Sequence, residues 1–127
     1  MNKRLHERQI VDYIDFSDLS LSGNVDKICS FGKIIDASVS GFLIEIQRDN
    51  LCRKEDRQNL SLDHLIGEEI NLFLPQMNLD LDGKVLRYQH KGQGCFHVGI
   101  QFSSEIPEYW RECLMDLLPY PGEFEEH

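Results

Sequence analysis

Apolar and polar residues alternate through the middle of the chain. Phe42, Ile44 and Ile46 alternate with Leu43, Glu45 and Gln47. Ile70, Leu72 and Leu74 alternate with Asn71 and Phe73 until Pro75 ends the run. Leu79, Leu81, Gly83 and Val85 alternate with Asp80, Asp82, Lys84 and Leu86. Phe96, Val98, Ile100 and Phe102 alternate with His97, Gly99, Gln101 and Ser103. Period two with one apolar face predicts half-buried antiparallel strands. Residues 27–36 predict another strand, with Ile34 and Ile35 near its end. A first strand, roughly residues 11–21, slips phase between Phe16 and Leu19, which predicts a bulge or break. Ser22-Gly23-Asn24 separates the first two strands and Lys91-Gly92-Gln93-Gly94 the last two. Six short strands in series, each with one apolar face, predict an all-β antiparallel fold that closes into a small barrel or sandwich. Closure also removes exposed edges.

Two segments break the pattern. Residues 48–64 are polar and charged and predict a long loop with room for one helical turn. In residues 105–118, Ile106, Trp110, Cys113, Leu114, Leu117 and Leu118 recur at three- and four-residue spacing, which predicts an amphipathic C-terminal α-helix. Ser103 or Ser104 can cap it, Pro107 suits its first turn, and Pro119 and Pro121-Gly122 stop it. Residues 119–127 then form a tail.

The 127-residue length suits one domain. With 41% apolar and 28% charged residues, the chain has enough apolar surface for a single core. Its formal charge of −9 argues against a DNA or RNA binder and against attachment to anionic membranes. No apolar run reaches membrane-spanning length, and no apolar stretch of a signal peptide follows Lys3 and Arg4. The expectation is a cytoplasmic protein whose four cysteines are free thiols. Cys29, Cys52, Cys95 and Cys113 include no close pair of the kind found in zinc motifs, so no metal site is expected. Charge is distributed unevenly. Lys3, Arg4 and Arg8 against Glu7 leave residues 1–10 at +2, while 10 basic and 21 acidic residues leave the rest at −11. A basic tip on an acidic body suits a local anion site, although charge alone fits a solvated, frayed terminus better.

Motifs for catalysis are absent: there is no G-x-S-x-G, H-E-x-x-H or G-x-x-x-x-G-K. Cys95 and His97, two apart on a strand, share a face and imitate a thiolate–imidazole pair, but a loop-edge thiol beside a surface histidine accounts for them. Asp80 and Asp82 also share a face and suit the solvent side of a strand. No enzyme is expected. Two further elements carry more information together than singly. One is Arg4-Leu5-His6-Glu7-Arg8, an R-x-x-x-R. The other is Asp36-Ala37-Ser38-Val39-Ser40-Gly41, a D-x-S-x-x-G at the junction of two predicted strands, where Asp and Ser cap backbone donors and Gly accepts positive φ.

In this order and on this strand pattern, the two elements make the chain resemble the PilZ domain family, the bacterial receptor module for cyclic di-GMP. The family's ligand signature is R-x-x-x-R followed by [DN]-x-S-x-x-G at the second-to-third strand turn, and Arg4, Arg8, Asp36, Ser38 and Gly41 fill it. Leu81-Asp82-Gly83-Lys84-Val85-Leu86-Arg87 is similar to a later family strand, and Val98-Gly99-Ile100-Gln101-Phe102 to its last. The likeness spans about residues 3–118, with the charged loop 48–64 and the acidic residues Asp12 to Asp18 as departures. It implies a six-stranded antiparallel PilZ-type barrel with a C-terminal helix over residues 11–118, preceded by a flexible ligand-binding segment, residues 1–10. It also implies a single-domain, non-enzymatic receptor with cyclic di-GMP as ligand, no cofactor, and a downstream protein partner that carries the output.

The chemistry agrees with that implication. Arginine's planar fork binds phosphate, pairs with guanine O6 and N7, and stacks on bases. Asp36 suits the guanine N1–H and exocyclic amine, Ser38 suits a phosphate or holds the turn, and Gly41 lets the backbone turn and leaves room for the ligand. With the arginines on a terminus and Asp36 and Ser38 on the barrel, ligand binding should order residues 1–10 as a clamp. Lys3 is a further candidate: in the family, a basic residue just before the first arginine favours an intercalated pair of dinucleotides. Two other classes fit less well. One is a PilZ-like interaction module that binds no nucleotide, against which the intact signature stands. The other is a small barrel enzyme or flavin protein, for which no catalytic cluster is present.

Overall fold

The computed structural model describes residues 14–23, 26–38, 40–104, 106 and 109. They contain six strands: β1 Ile14–Leu21, β2 Lys27–Ala37, β3 Gly41–Gln47, β4 Glu69–Leu74, β5 Leu79–Gly92 and β6 Cys95–Phe102. All neighbours are antiparallel, and the order β1-β2-β3-β6-β5-β4 closes on itself through β4 and β1. The closed barrel realises the alternation in the sequence. Ile44, Ile46, Ile70, Leu72, Leu81, Val85, Phe96, Val98 and Ile100 are all buried in one core cluster. Apart from Ile106 and Tyr109, the segment proposed for the C-terminal helix lies outside the described residues, as do Lys3, Arg4 and Arg8.

The phase slip in β1 is a bulge. Asp18 takes a left-handed φ of +56°, and the register against β4 shifts between Ser17 and Ser20, which returns Leu19 to the core. Lys27 holds the exposed Asp18 carboxylate at 2.8 Å, and this hydrogen bond raises the lysine pKa. The turn after β5 follows its glycines, with positive φ at Gly92, Gln93 and Gly94. β5 itself is longer than its apolar alternation, which ends at Val85, because residues 87–92 pair with β6 alone and extend past β4.

The connection between β3 and β4 is more ordered than a loop. It contains 3-10 turns at Arg48–Asn50 and Asp63–Leu65 and one helix, α1, Lys54–Asn59. Leu51, Leu62 and Leu65 are buried and join the barrel core. One charged group is buried with them. Asp56 is 3% exposed, and its Oδ1 meets His64 Nε2 at 2.8 Å. The Arg57 guanidinium donates to the Leu51 carbonyl at 2.6 Å, and the Tyr88 hydroxyl of β5 donates to Asp63 at 2.8 Å. A buried carboxylate needs such a partner, and for Asp56 His64 serves Oδ1, whereas Oδ2 is buried with no hydrogen bond among the described residues. Removing the imidazole in His64→Ala should therefore lower stability by about 1–3 kcal/mol. Urea unfolding should show this as a lower midpoint with an unchanged slope, and an unshifted midpoint would mean that solvent already carries the carboxylate.

Candidate functional site

The Asp36–Gly41 signature lies at the β2–β3 hairpin, and backbone register explains how it is presented. Ile34 pairs with Ile44 but Asp36 pairs with Leu43, so Ile35 is an extra residue in β2. Ile34 and Ile35 are both buried. Without that bulge Asp36 would share the inward face of Ile34; with it, Asp36 sits outward beside Leu43 and Ala37 turns in against Phe42. The hairpin is closed by the Ser38 N–H donating to the Gly41 carbonyl at 2.8 Å. The Ser38 hydroxyl accepts from the Ser40 N–H at 3.3 Å and lies 3.2 Å from the Ser40 hydroxyl. Asp36 Oδ1 accepts from the Ala37 N–H at 2.9 Å.

Gly41 is required for a different reason from the one its place in the turn suggests. Its φ is not among the positive ones. A Cβ at Gly41 would instead run into the backbone carbonyl oxygen of Ile100 on β6. The constraint is close approach of two strands, reinforced by the Phe102 N–H donating to the Ser40 carbonyl at 3.0 Å.

A second bulge serves the same place. Val85 pairs with Ile100 but Arg87 pairs with Gly99, so Leu86 is the extra residue of β5. The shift turns Arg87 from the inward phase of Val85 to the outer face. There the guanidinium lies over Gly99, where an added Cβ would stand 3.3 Å from Arg87 Cζ. Asp36, Ser38, Ser40, Leu43, Arg87 and Gly99 thus line one open cleft of about 250 Å³. Arg87 was not among the residues singled out from the sequence. The available signal was the three-residue step from inward Val85 to Tyr88, which packs on the core ring of Phe96 with centroids 6.2 Å apart. A larger hollow of about 760 Å³, at Ser20, Asn71, Asp82 and Lys84 among the described residues, holds none of the signature side chains.

Cys95 and His97 do share a face, and the barrel adds Glu45 of β3, whose Oε2 lies 3.2 Å from His97 Nε2. Burial, then the Glu45 carboxylate, pushes the Cys95 thiol up. A nucleophilic cysteine needs the opposite shift. His64 pairs with Asp56 rather than with its neighbour Asp63. Cys29, Cys52 and Cys95 are free thiols.

A closed barrel with an open cleft of hydrogen-bonding side chains on its outer face has the form of a ligand-binding module. The family model of the PilZ domain matches residues 2–118, and the chain belongs to that family. PilZ domains are binding and adaptor modules rather than enzymes; they generally bind cyclic di-GMP and interact with partner proteins. No curated protein matches the chain. Among the described residues no helix is long and apolar enough to cross a membrane.

Two outcomes follow from this geometry. Gly41→Ala should destabilise the barrel by about 1–3 kcal/mol, because the obstacle is backbone and cannot swing aside. Ser38→Ala should change the urea midpoint far less, and equal loss in both would refute the close-approach argument. Cys29 yields a pH dependence. Burial pushes its thiol up to about 12, whereas the unfolded thiol titrates near 8.5–9. Above that lower value the unfolded chain binds fewer protons than the folded one, so stability falls as pH rises. Between about pH 8 and about pH 10, wild type should lose about 1–2 kcal/mol more than Cys29→Ala in urea unfolding, and parallel losses would exclude this origin.

Proposed function

We propose that this PilZ domain is a cyclic di-GMP receptor and adaptor. In this reading Asp36 accepts hydrogen bonds from a guanine edge, and Ser38 binds phosphate. Arg87 meets a phosphate or stacks on a base, and Gly41 keeps the hairpin close to β6. Arg4 and Arg8 close over the ligand from residues 1–10, with Lys3 beside them, and the ordered segment changes the surface offered to a protein partner in the cytoplasm. The observation that carries the reading is the outer-face cleft. Two independent bulges turn an acceptor, Asp36, and a planar cation, Arg87, to the same side of the barrel. At about 250 Å³ the cleft is smaller than sites that enclose a small molecule, roughly 300–1,000 Å³, so a dinucleotide bound there needs cover from another part of the chain. The arginine-bearing segment is the element of suitable charge.

Calorimetric titration tests this reading. Wild type should bind cyclic di-GMP in preference to cyclic di-AMP, because Asp36 and the arginines suit guanine edges. Arg4→Ala, Arg8→Ala, Asp36→Ala and Arg87→Ala should each weaken binding by roughly 5–150-fold, the equivalent of about 1–3 kcal/mol per good contact. The two N-terminal variants should melt with wild type. Lys3→Leu should lower a stoichiometry of two dinucleotides per chain towards one. Absence of heat with cyclic di-GMP would leave the non-binding interaction module as the better account, and equal affinity for the two dinucleotides would remove the guanine-reading role of Asp36.

A further inference from the structure

The outer face of the β3–β6 pair carries a second group of functional side chains beyond the cleft. Glu45 stands directly opposite His97, and Gln47 opposite Cys95. One ligating atom from each of Glu45, Cys95 and His97 lies within 4.8 Å of the others. All three residues are half-buried, and Glu45 and His97 already touch at 3.2 Å. The strands fix their backbones, and residues two apart on a strand or opposite across a ladder keep a common face. The set is therefore assembled before any ligand arrives.

We infer that Glu45, Cys95 and His97 form a binding site for a divalent cation of the zinc class. The donors are a thiolate sulfur, an imidazole nitrogen and a carboxylate oxygen. This combination favours zinc and its borderline-soft neighbours over magnesium or calcium, which take oxygen ligands. Tetrahedral bonds of about 2.0–2.3 Å require ligand atoms about 3.3–3.8 Å apart, so the 3.2 Å His97–Glu45 contact is already close to one edge of that tetrahedron. All three ligand atoms lie within 4.8 Å of one another, so only a small adjustment of the side chains separates them from that spacing. On binding, the Cys95 S–H bond breaks, its proton passes to the buffer, and a sulfur–metal bond forms. Three protein ligands leave a fourth position for water. His97 also lines a hollow of about 380 Å³ with Tyr88 and Lys91, so solvent reaches its side of the site. Cysteine spacing could not reveal the site, because Glu45 and His97 are 52 residues apart in the chain. The inference does not depend on nucleotide binding.

Cobalt(II) is the probe, since it adopts zinc's geometry and reports thiolate coordination by its spectrum. The full chain, without an affinity tag and stripped by chelator, is titrated with cobalt chloride under reducing conditions. Wild type should develop a thiolate-to-cobalt charge-transfer band and the intense visible bands of tetrahedral cobalt, and zinc chloride should displace both. Cys95→Ser should abolish the charge-transfer band. His97→Ala and Glu45→Gln should each weaken cobalt binding at least as much as losing an outer-layer partner does, roughly 10–100-fold. Cys52→Ser and Cys113→Ser should keep the wild-type spectrum. The three ligands lie on the outer face, so these variants should melt with the stripped wild type. His97→Gln replaces His97→Ala if that variant does not fold. A band that survives Cys95→Ser, or that is lost in Cys52→Ser or Cys113→Ser, would overturn the assignment. An octahedral spectrum, or none, from wild type would do the same.

Discussion

Every side chain on a strand of a closed barrel points either into the lumen or out to the surface, and the strand's period of two makes that choice for the whole strand at once. An uninterrupted β2 would send Asp36 the same way as Ile34, into the core. An uninterrupted β5 would do the same to Arg87. Each strand spends one extra residue, Ile35 or Leu86, to reverse the choice at the required point. The two bulges flank β3 and β6, and the cleft lies between them on the outer face. Its chemistry depends on these two breaks in an otherwise regular alternation, which is the use to which bulges are commonly put beside functional sites.

The central pair, β3 and β6, supplies the floor. Gly41 and Gly99 are both positions where a Cβ would meet a neighbour: the Ile100 carbonyl in one case, the Arg87 guanidinium in the other. Small residues there let the hairpin lie close to β6 and let the Arg87 side chain lie close over Gly99. Further along the same face the ladder changes character. Leu43 opposite Gly99 gives way to Glu45 opposite His97 and then to Gln47 opposite Cys95. The register thus aligns a row of hydrogen-bonding groups with a row of metal-type donors on one continuous surface, while Phe42, Ile44, Ile46, Phe96, Val98 and Ile100 of the same two strands build the core.

The connection between β3 and β4 carries a different constraint. Its leucines finish the core, but its helix also brings the Asp56 carboxylate inside, and His64 meets it there. Retaining such a pair costs desolvation that an apolar contact would not. In return the pair links α1 to the second 3-10 turn, and the Tyr88–Asp63 hydrogen bond links that turn to β5. Tyr88 lies next to Arg87, so the insertion supports the strand that presents the cation.

Much of this architecture was legible in the chain. The alternating runs identified the strands and their inward residues, because a half-buried strand must show its two faces in its sequence. The slip between Phe16 and Leu19 showed itself because polar Asp18 interrupts an apolar phase. Asp36 and Ser38 declared a turn through local backbone chemistry, and with Gly41, Arg4 and Arg8 they matched the PilZ signature. Other features depended on partners distant in the chain. The bulges at Ile35 and Leu86 were hidden because each extra residue is apolar beside an apolar neighbour, so the phase change left no polar mark, and Arg87 was hidden with them. Residues 48–64 resembled a charged loop because the burial of Asp56 makes sense only once the fold supplies His64. The role of Gly41 lay in a carbonyl on β6, and Glu45 met Cys95 and His97 only through the β3–β6 register. Local pattern determined which residues form strands and turns; ladder register, set when the barrel closed, decided which side chains came to share a site.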